Sequence, residues 1–147
     1  MLGIQRHIIQ IPTSGPSLIV ITKTATGTWN NPYTAPNPYS IWTGTSNSVI
    51  ANATWSGRVV GTIKNLGAMI LRDVDVRVTG NSDPNSSTNQ WLNYYYGSIG
   101  DSVTANIDTT FTFNTNTSGA LTPRAFIYQS QPGDLQYNLT ITLTQTS

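Results

Sequence analysis

Side chains capable of acid–base or nucleophilic chemistry are few in this sequence. His7 is the single histidine, and the chain has six Asp, no Glu and no Cys. General acid–base catalysis needs a histidine or carboxylate with a shifted pKa in a cleft. A Ser-His-Asp triad would have to use His7, close to the amino terminus, and the sequence has no Gly-X-Ser-X-Gly elbow. We therefore expect His7 to lie on a surface or interface rather than in an active site.

Asp73 and Asp75 are the one pair of carboxylates with a spacing that suggests catalysis. Residues two apart on a strand share a face, at a separation that glycosidases use for their acid and nucleophile. However, Arg72 and Arg77 flank the pair. A solvated, charge-balanced row on the polar face of a strand is the interpretation we favour, so the sequence predicts no catalytic residue and no enzyme.

A metal site has one candidate segment, residues 83–87, with the sequence Asp-Pro-Asn-Ser-Ser. Its oxygen-rich alternation is that of a calcium loop, but the glycine at the sixth position and the glutamate at the twelfth are missing. Without cysteine, zinc-thiolate sites and disulfides are excluded. Phosphate-binding glycine motifs are also absent. We expect a turn at 83–87, no metal and no cofactor.

Aromatic residues give the one binding hypothesis based on side-chain chemistry. Trp29, Trp42 and Trp55 recur every 13 residues, and Trp91 precedes the run Tyr94, Tyr95, Tyr96. Exposed Trp and Tyr stack on sugar rings, but they are also enriched at protein–protein hot spots and in cores. Three consecutive tyrosines on a strand must place at least one ring on each face. We expect core and subunit interface here, with a sugar-binding platform as the alternative.

Composition limits the classes of fold and partner. A length of 147 residues is typical of a single domain. The sequence contains 23 Thr, 14 Ser and 14 Asn but only 13 charged side chains. Many threonines, few lysines and no glutamate favour strands over helices. A net charge of +1 without a basic cluster argues against a partner bound by phosphate neutralisation. We therefore expect no nucleic-acid partner.

Export and membrane insertion also lack a signal in the sequence. The start, residues 1–7, is polar by its fifth residue, unlike a signal peptide. The longest aliphatic run, residues 18–21, is far short of the roughly 20 residues that span a membrane. We expect a protein made in a host cytoplasm without a signal peptide and without a membrane partner.

Alternation of apolar and polar residues predicts the strands. The clearest pattern runs from Val103 to Phe113, and residues 70–78 and 135–144 repeat it. Shorter candidates are 48–55, 57–64, 90–96 and 124–129, separated by turn residues rich in Gly, Asn and Pro. Eight or nine strands, each with one polar face, favour antiparallel pairing. The predicted fold is a single all-β sandwich, of jelly-roll or immunoglobulin-like type.

Two segments depart from this pattern. Residues 1–16 are predicted to be an extended N-terminal arm, followed by a sandwich domain over 17–147. Residues 30–47 contain three prolines and are predicted to form one long, contact-making loop. Residues 18–21 are apolar on both faces and must be covered twice. They are either an internal strand of the sandwich or lie against another molecule, in which case residues 1–16 are the arm that packs on a neighbouring subunit by strand addition.

Two families resemble this chain. The stretch 58–80, followed by Gly97-Ser98-Ile99-Gly100-Asp101 and a Thr-rich strand, resembles immunoglobulin-like surface proteins. These include TasA-like and archaeal thread-type fibre subunits, and the resemblance implies polymerisation by a donated N-terminal strand. The charge-poor, Thr- and Asn-rich composition, the Met1-Leu2 start and the arm also resemble capsid decoration or cement proteins of tailed bacteriophages. That resemblance implies a β-sandwich whose arm joins neighbouring shell subunits.

The sequence therefore predicts a non-enzymatic virion structural protein of the decoration or cement type. Its partners would be itself, as a dimer or trimer, and the lattice of a major capsid protein. An extracellular or cell-surface filament subunit is the alternative, and a carbohydrate-binding module is the second alternative. The candidate interface residues are Ile4, Ile8, Ile9, Ile11, Tyr33, Tyr39, Trp42, Trp91, Tyr94, Tyr95 and Tyr96.

Overall fold

A computed structural model describes residues 18–31, 38–80 and 89–147. These residues form ten β-strands and no helix. The described ranges therefore contain no membrane-spanning helix. The strands are β1 (Val20–Trp29), β2 (Tyr39–Thr43), β3 (Asn47–Ser48), β4 (Thr54–Asn65), β5 (Leu71–Thr79), β6 (Gln90–Ile99), β7 (Thr104–Asn114), β8 (Ala120–Leu121), β9 (Arg124–Tyr128) and β10 (Leu135–Gln145).

The strands form two four-stranded antiparallel sheets that pack face to face. Sheet A has the order β1-β10-β4-β7, and sheet B has the order β2-β9-β5-β6, while β3 and β8 form a short separate pair. The first and last strands are therefore neighbours, and the chain passes repeatedly from one sheet to the other. This is the order of a jelly roll rather than that of an immunoglobulin domain. The predicted all-β sandwich is confirmed.

The core lies between the two sheets and follows the predicted alternation. In β10, five alternate side chains from Leu135 to Leu143 are buried, and their neighbours face outward. In β7, Ala105, Ile107, Phe111 and Phe113 are buried in the same way. The predicted start of this strand is one residue early, because Val103 is 49% exposed in the preceding turn.

Two predicted boundaries are wrong. The candidates 48–55 and 57–64 are not separate strands: a turn at residues 51–52 precedes the single long strand β4. The segment 30–47 is not one loop, because β2 lies within it and pairs with β9. That strand has only five residues and follows a proline-rich stretch, which hides it from periodicity.

The segment 18–21 is not covered on both faces by the described residues. β1 is an edge strand of sheet A, paired with β10. Leu18 and Val20 are each 57% exposed, whereas Ile19 and Ile21 pack against the core. The proposed arm, residues 1–16, lies outside the described residues.

Candidate assembly surfaces

The tryptophans at 13-residue intervals do not form an exposed platform. Trp29, Trp42 and Trp55 are 8%, 9% and 0% exposed and belong to the hydrophobic core. Tyr39 is half-buried and stacks on Trp29, with ring centroids 5.3 Å apart. Trp42 thus lies in the core of this chain, and the three buried tryptophans do not offer an exposed sugar-stacking surface.

The second aromatic cluster, on β6, divides between the core and the surface. Trp91 stacks on Phe113 with ring centroids 4.1 Å apart, and Tyr94 and Tyr96 pack against the core. Tyr95 points to the other face and is 60% exposed. The prediction that the three tyrosines occupy both faces is confirmed, and Tyr95 remains as the exposed candidate among them.

Several other candidates lie outside the described residues. They are His7, the turn at 83–87, and the interface candidates Ile4, Ile8, Ile9, Ile11 and Tyr33.

Asp73 is exposed, and two hydroxyl groups hold its carboxylate by hydrogen bonds. The hydroxyls of Ser130 and Tyr95 donate to its two carboxylate oxygens, the second at 2.8 Å. Both hydrogen bonds lower the pKa of Asp73 below its ordinary value, and the bond from Ser130 has the larger effect. The hydrogen bond between Tyr95 and Asp73 also raises the pKa of Tyr95. Asp73 has a φ of +53° where the register of β5 against β6 shifts, which places it in a β-bulge.

Asp75 is not solvated as the sequence predicted. Its side chain is buried, with the residue 7% exposed, and Arg77 donates to it at 2.9 Å. The Arg77 guanidinium lies 4.9 Å from the centre of the Tyr128 ring. Both carboxylates of the pair are thus engaged by neighbouring side chains. Among the residues described, no three His, Cys, Asp or Glu side chains cluster as metal ligands would.

An exposed apolar patch lies at one end of the sandwich. We call it the apolar tip and define it as Leu66, Met69, Ile70 and Val103, which are 45–62% exposed. Three of them lie in the β4–β5 turn, and Val103 lies in the β6–β7 turn. Strand periodicity did not predict this patch, but Leu, Met and Ile within a segment of turn residues are a sequence signal for it.

Asn65 holds the two turns of the apolar tip together. Its buried Nδ2 donates to the carbonyl oxygens of Met69 (2.6 Å), Ile99 (3.2 Å) and Gly100 (3.0 Å). Its Oδ1 accepts from the Gly67 amide at 2.9 Å. Because one side chain satisfies backbone groups of both turns, the apolar tip is fixed before any partner binds. A rigid contact surface loses less conformational entropy on association.

The outward side of sheet A forms a second surface, which we call the hydroxyl face. Sheet A pairs without a register shift, so its outward residues form regular rows across the four strands. One such row is Thr22, Thr142, Arg58 and Thr110. The threonines of this face are Thr22, Thr24, Thr26, Thr28, Thr54, Thr62, Thr104, Thr110, Thr112, Thr140, Thr142 and Thr144.

The hydroxyl face carries few charges, and two of them pair with each other. Arg58 and Asp108 form an exposed ion pair at 2.7 Å, which raises the pKa of the arginine and lowers that of the aspartate. Lys64 is a further charge on this face. Thr24 and Thr140 hydroxyls hydrogen-bond across β1 and β10 at 3.0 Å. Such a surface can be buried with a smaller desolvation cost than a charged one.

Known structures with a similar fold include viral proteins. No family model and no curated protein matches the sequence. The infectious bursal disease virus VP2 subviral particle matches 95% of this chain and 37% of its own, at 11% identity and a TM-score of 0.58. The same virus, Gt strain, matches at 10% identity over 98% and 35%, with a TM-score of 0.54. A CBM22-1 xylan-binding domain from Paenibacillus barcinonensis matches at 11% identity over 88% and 87%, with a TM-score of 0.41.

The chain spans about a third of the length of the viral structures that it matches. Over that third, this chain and the viral chains share the arrangement of strands, although only 10–11% of the residues are identical. What the comparisons establish for this chain is its fold, the antiparallel jelly roll.

Proposed function

We propose that this chain is a non-enzymatic structural subunit of a virion shell. The viral chains with the same fold come from a virus particle and a subviral particle, which favours this class. The observation on this chain that carries the proposal is the apolar tip, because four large apolar side chains are exposed together and braced from beneath by Asn65. Exposed apolar patches of this kind are characteristic of protein contact sites.

Burial of the apolar tip would supply a useful but modest free energy. Full burial of such a side chain contributes about 1.5–3 kcal/mol, and each of these is already about half-buried. Each therefore has roughly 1 kcal/mol left to gain on contact. A contact of that strength is weak alone, but repetition over a lattice multiplies it by avidity.

Within this class we propose the decoration or cement type, in which the subunit adds to the outside of a shell built from a major capsid protein. The hydroxyl face supports this form, since it is broad, regular and nearly free of unpaired charge. The virion would then be its location. Residues 1–16, the predicted arm, would add contacts to neighbouring subunits.

The test is a charge introduced into the apolar tip. Met69→Lys should lower the oligomeric mass of the purified protein in analytical ultracentrifugation without changing its unfolding midpoint. Thr117→Lys, an exposed threonine in a turn at the opposite end of β7, is the matched control and should leave the mass unchanged. Equal masses for the wild type and Met69→Lys would show that the apolar tip is not a contact surface.

Electron microscopy of the same preparations separates the decoration form from its alternatives. The decoration type predicts small oligomers without closed particles. Closed shells formed by this chain alone would identify it as a main shell subunit, and filaments would identify the donor-strand polymer.

A further inference from the structure

β7 presents the longest regular open edge of the described residues. It is the outermost strand of sheet A, opposite β1, and pairs with β4 over its whole length. The pairing runs from Lys64 opposite Thr104 to Thr54 opposite Asn114 without a register shift. The other side of an outermost strand carries backbone amides and carbonyls that can pair with a further strand.

The other three edge strands carry features that oppose strand addition. In β1, Lys23 is exposed although it pairs with the buried Ile141 on the inward side of the sheet. β2 has five residues and a register shift between Ser40 and Trp42. β6 is irregular against β5 and contains Gly97 at φ +100°. Inward charges, short strands and bulges are known ways to protect a sheet edge.

β7 has none of these protections. It contains no lysine, arginine, proline or glycine over Thr104–Asn114. Its one charge, Asp108, is compensated within the chain by Arg58 at 2.7 Å. The edge is therefore eleven residues long, without a register shift, and its one charge is paired within the chain. These properties favour pairing with another strand.

We propose that the β7 strands of two copies of this chain pair antiparallel across a two-fold axis. The two A sheets then become one eight-stranded sheet, with the hydroxyl faces continuous on the same side. This inference rests on the proposed function in assuming a self-associating subunit, and it names the edge and the partner. A two-fold contact uses the same surface on both copies, which an antiparallel strand pair satisfies.

Sheet geometry fixes the register of this contact. The two-fold axis maps each face onto itself, so residues of the same face must lie opposite each other and the axis must pass midway between the two copies of one residue. With the axis between the two copies of Thr109, all eleven residues of β7 are paired. An axis at Asp108 would place two carboxylates opposite each other, and an axis at Thr110 would shorten the paired segment.

The Thr109 register also gives compatible side-chain neighbours. Asp108 lies opposite Thr110 rather than opposite a second carboxylate. On the inward side, Ile107 lies opposite Phe111, an aliphatic–aromatic combination that stabilises antiparallel pairs.

Disulfide trapping tests this register in a chain that has no cysteine of its own. Opposed residues in an antiparallel pair have Cα atoms about 4.5 or 5.5 Å apart, within the range that a disulfide bridges. Thr109→Cys should therefore form a covalent dimer under mild oxidation, several-fold faster than Thr112→Cys. The second variant is the exposed control, because its partner in this register is Asn106.

A double variant keeps the test independent of the half-buried position 109. Asn106→Cys combined with Thr112→Cys places two outward thiols opposite each other, and it should yield covalent dimers that neither single variant yields. Equal cross-linking of the single and double variants, or equal rates for Thr109→Cys and Thr112→Cys, would overturn the register.

The outcome separates this inference from the proposed function. If the chain forms oligomers that Met69→Lys disrupts, but neither the Thr109→Cys variant nor the double variant cross-links, the β7 contact is wrong and the shell subunit stands. If cross-linking follows the predicted register but assembly never proceeds beyond dimers and the chain does not bind assembled shells, the strand contact stands and the shell proposal is wrong.

Discussion

Removal of the Asn65 side chain should release the apolar tip from the sandwich. In Asn65→Ala the carbonyls of Met69, Ile99 and Gly100 lose the amide that donates to them at 2.6–3.2 Å. The Gly67 amide loses its acceptor as well. At about 1 kcal/mol for each of these four hydrogen bonds, the free energy of unfolding should fall by about 4 kcal/mol.

The isosteric substitution Asn65→Asp should make the loss of folding stability depend on pH. An ionised carboxylate at this buried position would face the same three carbonyl oxygens, so its pKa in the folded state must rise above the unfolded value of about 3.9. A raised folded pKa means that the variant is most stable below the unfolded pKa and loses stability as the pH rises through the folded pKa. Asn65→Asp should therefore be less stable at pH 7 than at pH 4, relative to the wild type.

Urea unfolding followed by tryptophan fluorescence measures both effects, since Trp55 is fully buried in the core. Asn138→Asp, the same chemical change at an exposed site on β10, is the control and should show little pH dependence relative to the wild type. A loss below about 1 kcal/mol in Asn65→Ala, or a flat pH profile for Asn65→Asp, would refute the bracing role of this residue.

Three further effects follow from single contacts. Gly61→Ala should destabilise the protein by more than about 2 kcal/mol, because φ is +149° and a Cβ would collide with the Asn138 carbonyl. Gly67→Ala, where the nearest atom is 3.6 Å away, should cost little in the same urea titration. Ser130→Ala should raise the pKa of Asp73 towards its ordinary value in an NMR titration of the carboxyl carbon. In the wild type, the stabilisation due to Asp73 should be present above its ordinary pKa and lost as the pH falls through the lowered one.

Strands and their buried faces could be predicted from periodicity where one face is apolar and the other is polar. In β7 and β10 the inward residues are apolar and the outward ones polar, so alternation gives the core directly. At Asp75 alternation gave the correct face but not the burial, because this carboxylate lies between its cross-strand partners Tyr95 and Tyr128 and pairs with Arg77. Burial on that face depends on which residues the neighbouring strands place opposite Asp75, and the sequence of one strand does not contain that information.

Aromatic side chains were harder to place than aliphatic ones. Trp42 and Tyr95 are both large amphipathic residues on strands, yet one is 9% exposed and the other 60%. Their positions depend on a register shift in β2 and on the face of β6 that meets the core. The apolar tip was missed for a related reason, because periodicity assigns no face to residues in turns such as Met69.

Analytical ultracentrifugation of the purified full chain over a range of concentrations tests the central claim, self-association as a shell subunit, most directly. A self-associating shell subunit should form discrete oligomers whose mass rises with concentration and is lower for the Met69→Lys variant. A protein that stays monomeric at every concentration, alone and with assembled shells, would contradict this claim.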